Sequence, residues 1–144
     1  EEADIVLFDL KLIDEDDHKK WTGSKNTRIL ENLQMVKRCM EAANGQKQLW
    51  IRTPLIPGAT ALQENIQDIG SFLHEHVNGS VTRWELCAFN NLCRDKYERL
   101  DMEWRFAETE LMTKEDLAQI EAWAKASGFD PQRVLVTGAA KVEN

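Results

Sequence analysis

Asp4-Ile5-Val6-Leu7-Phe8-Asp9-Leu10-Lys11 is a continuous apolar run with polar ends. A run of this kind predicts a strand buried on both faces, as in a parallel sheet whose two sides are covered. Two further strand-like runs follow. Gln48-Leu49-Trp50-Ile51-Arg52-Thr53 stops at Pro54, Pro57 and Gly58, because proline cannot donate to a ladder. Val81-Thr82-Arg83-Trp84-Glu85-Leu86-Cys87 is of more mixed polarity. Arg133 to Gly138 predicts a last short strand.

Helical periods lie between these runs. Asn26 or Thr27 can cap a helix carrying Ile29, Leu30, Leu33, Val36 and Met40, which Asn44-Gly45 stops. Thr60 and Gln63 have the spacing of a capping box ahead of Leu62, Ile66, Ile69 and Leu73, and Asn78-Gly79 ends that helix. Thr113 can cap a third helix with Leu117, Ile120, Trp123 and Ala124 on one face, closed by Gly128. Residues 14–25 are polar with Gly23 and Ser24 as breakers, and are expected to be a loop. Residues 88–112 show no period but carry Tyr97, Leu100, Met102, Trp104 and Phe106. The order strand-helix, strand-helix, strand-loop-helix, strand predicts an α/β fold of repeated βα units with a parallel sheet. A complete eight-unit barrel takes about 250 residues. At 144 residues the chain is either a small open sheet or a slice of a barrel.

Composition narrows the function. The chain is 42% hydrophobic and 30% charged, which is globular rather than disordered. A formal net charge of −7 argues against a nucleic-acid duplex or an anionic membrane as main partner. No apolar run approaches the roughly 20 residues of a membrane span, and no signal peptide is visible at Glu1. With a strand starting at Asp4 and no initiator methionine, the chain is expected to be part of something longer. Three cysteines, Cys39, Cys87 and Cys93, form no framework, which predicts a reduced, cytoplasmic protein. Cys39 is expected to be buried on the apolar helical face. Cys87 and Cys93 lack the spacing of a metal knuckle. His74 and His76 are expected at a solvated helix end. Trp50, Trp84 and Trp123 are expected in the core rather than as ligand stackers.

Parallel α/β folds bind ligands at the carboxyl ends of strands. The first strand ends in Asp9-Leu10-Lys11, the second reaches Arg52, and the third ends near Asn90. A carboxylate, an ammonium, a guanidinium and a carboxamide thus converge on one rim, a set suited to a small zwitterion. A structural reading competes: Asp9 and Lys11 as an ion pair at a strand end, with Arg52 reaching solvent. No glycine-rich phosphate loop and no Ser-His-Asp or Cys-His arrangement is present.

Several of these stretches resemble a known family. Asp9-Leu10-Lys11 with His18 to Gly23 and Ile29-Leu30-Glu31-Asn32-Leu33, then Leu49 to Gly58, then Glu85-Leu86-Cys87-Ala88-Phe89-Asn90 with Lys96-Tyr97-Glu98-Arg99-Leu100, are similar to segments of the glycyl-radical enzyme activating enzymes. The similarity runs in order from about residue 4 to 128. It implies a radical S-adenosylmethionine enzyme with a partial (β/α)6 TIM-like barrel. In that family a 4Fe-4S cluster held by CxxxCxxC reductively cleaves S-adenosylmethionine, and the 5′-deoxyadenosyl radical takes hydrogen from a glycine of a partner enzyme such as pyruvate formate-lyase. An electron donor such as flavodoxin or ferredoxin is implied as a second partner. The resemblance places Asp9, Lys11, Arg52 and Asn90 at the S-adenosylmethionine site and makes Asp9 a candidate ligand for a monovalent cation. This sequence departs in having Asn90 where the family has histidine, and in lacking CxxxCxxC. Residues 1–144 are therefore expected to be the C-terminal half of the barrel, inactive alone, with the cluster ligands outside this chain and with exposed edges prone to self-association. Two rival readings stand beside it: a βα-barrel lyase or aldolase with Lys11 as Schiff-base residue, and a non-enzymatic scaffold whose segment 97–106 binds a protein.

Overall fold

The computed structural model describes residues 3–142. Strand β1 (Ile5–Asp9), helices α1 (Glu15–Thr22) and α2 (Thr27–Ala42), strand β2 (Gln48–Leu55), helix α3 (Gln63–His76), strand β3 (Val81–Ala88), helices α4 (Arg94–Arg99) and α5 (Lys114–Lys125) and strand β4 (Val134–Thr137) follow in that order. The strands form one sheet, β1-β2-β3-β4, with every neighbouring pair parallel. No helix among the described residues is long and apolar enough to cross a membrane.

One face of the sheet carries the core. Leu49, Ile51 and Leu55 of β2 and Trp84 and Leu86 of β3 are fully buried there with Leu33 of α2 and Ile66, Ile69 and Leu73 of α3. Each such side chain contributes roughly 1.5–3 kcal/mol of burial. Trp84 packs edge-on to Phe129 with ring centroids 5.8 Å apart. Of the tryptophans expected in the core, Trp84 is wholly buried while Trp50 and Trp123 are half-buried.

The opposite face is open. Ile5 and Leu7 of β1 are 44% and 52% exposed, whereas Val6 and Phe8 pack against the core. The expected two-sided burial of this strand is thus not found. β1 is an edge strand, and the core helices pack on one side of the sheet. Cys39 is also exposed, not buried. The inward stripe of α2 runs through Leu33 and Met40, and Cys39 is turned away from Met40 by the roughly 100° step between consecutive helical residues. His74 and His76 are exposed, as expected.

Three local expectations give way. Residues 15–22 are a helix rather than a loop. Asp14 caps it by accepting from the Asp17 N–H at 2.8 Å, acidic residues fill the first turn and Lys19 and Lys20 the last, and Gly23 closes it at φ +81°. Second, β2 runs through Pro54 to Leu55. The Arg52 carbonyl accepts from Leu10 N on the β1 side, so by alternation the Pro54 nitrogen also faces that side, where β1 has already ended. Third, Thr60 does not cap α3, whose N-cap is Leu62. Its hydroxyl instead donates to the Pro54 carbonyl and accepts from Ile56 N, closing the loop after β2. At Thr113 the capping box is present, with Asp116 as the reciprocal partner.

Candidate functional site

The segment leaving β1 is held from three directions by buried polar side chains. Thr53 of β2 donates from its hydroxyl to the Leu10 carbonyl at 2.8 Å and accepts from the Trp84 indole N–H at 3.0 Å. Asn65 of α3 donates to the Lys11 and Thr60 carbonyls at 3.0 and 2.9 Å and accepts from Ile13 N at 3.2 Å. Asn26 is the N-cap residue of α2, as expected, but makes no side-chain capping bond and spends its amide on the Leu12 and Ile13 carbonyls at 3.2 and 2.6 Å. Buried amides and hydroxyls are costly unless paired, so residues 10–13 take one path. That path keeps Leu10 and Leu12 buried and leaves Asp9 and Lys11 exposed on alternate positions.

On the open face the parallel register sets Asp9 opposite Arg52, and Arg52 opposite Glu85. The Arg52 guanidinium stands between the two carboxylates, 4.0 Å from Asp9 and 3.9 Å from Glu85. Neither distance is a hydrogen bond. The Cys87 sulfur, then Asp9 and Glu85, hold the guanidinium above its ordinary protonation range. Glu85 is the most recessed of these charges, 14% exposed, and its other oxygen accepts from Arg83 at 3.1 Å. Arg83 in turn lies 3.8 Å over the Trp50 ring. Half-exposed ion pairs of this length contribute under about 1 kcal/mol each, so folding stability does not explain the row.

The structure therefore brings Asp9 and Arg52 together, with Lys11 one alternate position beyond the strand. Among the described residues Lys11 forms no ion pair with Asp9, because Arg52 takes that place. The competing strand-end pair is not formed. Nor is Lys11 desolvated, as a Schiff-base lysine needs to be. Asn90 lies past the end of β3, exposed, with its side-chain oxygen accepting from Leu92 N at 3.2 Å. Spacing alone does not mark Glu85 and Arg83 as site residues. The i, i+2 charges in the mixed third run were the available signal.

Residues 88–112 fold over the same end of the sheet. Phe89 stacks near Trp104 and meets Phe106 edge-on, Tyr97 stacks on Trp104, and Phe106 stacks on Trp21 of α1, with centroids 6.0–6.3 Å apart. Leu100 and Met102 stay exposed. No group of three or more His, Cys, Asp or Glu side chains among the described residues could hold a metal ion.

No family model matches the chain. Individual proteins do. It is 30% identical over 128 residues to the trans-4-hydroxy-L-proline dehydratase activating enzyme of Clostridioides difficile, covering 89% of this chain and 40% of that protein. It is 29% identical over 123 residues to the pyruvate formate-lyase-activating enzyme of Clostridium pasteurianum, covering 85% and 48%. The crystal structure of a domain of pyruvate-formate lyase-activating enzyme from Bacteroides vulgatus ATCC 8482 has the same fold, with a TM-score of 0.64 at 21% identity over 94% of this chain and 68% of that one. The chain spans less than half the length of these curated relatives. Over most of its length the chain is thus similar to activating enzymes of glycyl-radical enzymes.

Proposed function

We propose that this chain is the C-terminal part of an activating enzyme that generates a glycyl radical on a partner enzyme, with its open sheet face lining the S-adenosylmethionine site. The observation that carries the reading is the row Asp9-Arg52-Glu85. Arg52 is flanked by carboxylates beyond hydrogen-bonding distance, so the donors not turned to the Cys87 sulfur remain available to a ligand carboxylate or hydroxyl. Asp9, 54% exposed, can meet an ammonium, a hydroxyl or a monovalent cation. A zwitterionic ligand fits such a pair. Lys11 and Asn90 would complete the rim.

The barrel slice is part of the proposal. The sheet order follows the chain without reversal, as in a barrel, whereas an open doubly wound sheet reverses at its ligand crevice. The apolar, half-open β1 suits a strand that another element covers. The 4Fe-4S cluster is assigned to residues outside this chain, since Cys39, Cys87 and Cys93 stand on separate elements and no clustered ligands occur among the described residues. When bound, cluster and S-adenosylmethionine together supply the hydrogen-abstracting radical. The residues of this chain bind and orient the nucleotide and keep its charges matched. A reduced, cytoplasmic setting and an electron-donor protein belong to the same proposal.

The test is anaerobic reconstitution of the full-length protein with iron and sulfide. Reductant-dependent release of 5′-deoxyadenosine from S-adenosylmethionine is expected. A cluster-loaded protein that leaves S-adenosylmethionine intact would sink the reading.

A further inference from the structure

We infer that Glu85 is a positioning residue for Arg52, an inference that rests on the proposed S-adenosylmethionine site. Glu85 is the least exposed charge on the open face, and its two oxygens have different duties. One accepts from Arg83 at 3.1 Å, and Arg83 is itself braced on the Trp50 ring at 3.8 Å. The other faces the Arg52 Nε at 3.9 Å, while the Nη1 end of the same guanidinium faces Asp9 at 4.0 Å. Trp50 thus fixes Arg83, Arg83 fixes Glu85, and Glu85 holds the Nε edge of Arg52 away from Asp9.

Charge balance gives the device its sense. Asp9, Arg52, Glu85 and Arg83 sum to zero across the face. Without the Glu85 charge, the Arg52 and Arg83 guanidinium groups lose the carboxylate between them. Arg52 then has one carboxylate left, Asp9, and closes on it as a direct ion pair. That pair withdraws from the ligand both the guanidinium and the carboxylate at once. Glu85 itself, recessed and tied to Arg83, does not touch the ligand in this account.

The experiment is a double-mutant cycle on S-adenosylmethionine affinity in the full-length, cluster-loaded protein, with melting recorded for every variant. E85Q keeps the shape and the acceptor but not the charge, and is expected to weaken binding about tenfold, because Arg52 closes on Asp9 and the charge-assisted hydrogen bond from Arg52 to the ligand is lost. E85D, shorter but charged, is expected to recover part of that loss. In an R52A background E85Q should have no further effect, because Glu85 acts through Arg52. Additive losses would overturn the inference, since Glu85 would then act on its own. R52A weakening binding while E85Q does not would also overturn it and leave the proposed site standing. If R52A, K11A and E85Q all bind as tightly as the parent protein, the site itself is misplaced and the inference falls with it.

Discussion

Thr53→Val removes a hydroxyl and changes almost no volume, which makes it a clean probe of how the site is held. Thr53 is fully buried. Its oxygen links the Leu10 carbonyl, where β1 ends, to the indole N–H of Trp84 at the centre of the core. No buried side-chain nitrogen or oxygen lacks a partner among the described residues, so no spare group stands ready to replace it. In the valine variant the Trp84 N–H and the Leu10 carbonyl are both stranded, at about 1–3 kcal/mol each. Valine no longer buries a hydroxyl and suits a strand, which offsets part of the cost. A net loss of about 2–4 kcal/mol is expected, a large share of a domain stability of about 5–15 kcal/mol. Thr53→Ser keeps the hydroxyl and loses one methyl, so it should cost only about 1 kcal/mol. Equilibrium urea unfolding of both variants, followed by tryptophan fluorescence, measures the difference. If valine costs no more than serine, the hydroxyl bridge does not hold the end of β1 and the reasoning fails.

Further outcomes follow from the same geometry. Lys11→Ala in the full-length protein should weaken S-adenosylmethionine binding by about 1.5–3 kcal/mol with unchanged melting, and equal affinity by equilibrium dialysis would return Lys11 to the solvated surface. Asn90→Leu should weaken binding by about 1–3 kcal/mol, whereas Asn90→His should bind with a new pH step between about 5.5 and 7.5, and identical affinities for all three across pH would remove Asn90 from the site. The Thr113 N–H and hydroxyl hold the Asp116 carboxyl below its ordinary range. Its cap is therefore in force above the ordinary carboxylate value and is lost as pH falls through the lowered one. D116N should flatten that acid limb of stability, measured by thermal melting from neutral to acid pH, and an unaltered limb would contradict it. In β1 the backbone groups of Ile5, Leu7 and Asp9 point away from β2 by alternation, so light scattering should find the chain self-associating at tens of micromolar, and a clean monomer would count against an open edge.

The strand and helix order was legible because apolar period and breakers agree at most positions. Leu33 and Met40, Ile66 to Leu73, and Leu117 to Ala124 sit where the helical spacing puts them. What misled the reading was context. The run Ile5 to Phe8 looks buried on both faces, yet which face is covered depends on elements that a strand pattern does not name. Asp14 and Gly23 announced α1 plainly, but its low apolar content hid the period. Asn26 does stand at the N-cap of α2, but its side chain is claimed by the Leu12 and Ile13 carbonyls, and Thr60 closes the loop after β2 instead of capping α3. At the site, Asp9 and Arg52 could be placed on one rim from strand ends alone, but their mutual register with Glu85 needed the sheet.

Cys87 offers the most direct test of where the ligand sits. It shares the open face with Arg52 and Glu85, half-buried, whereas Cys39 is exposed on α2 away from that face. In the reconstituted full-length protein, alkylation can be followed at each cysteine by peptide mass spectrometry. Saturating S-adenosylmethionine should slow modification of Cys87 several-fold and leave Cys39 unchanged. Equal rates at Cys87 with and without bound ligand would contradict the assignment of this face to the nucleotide.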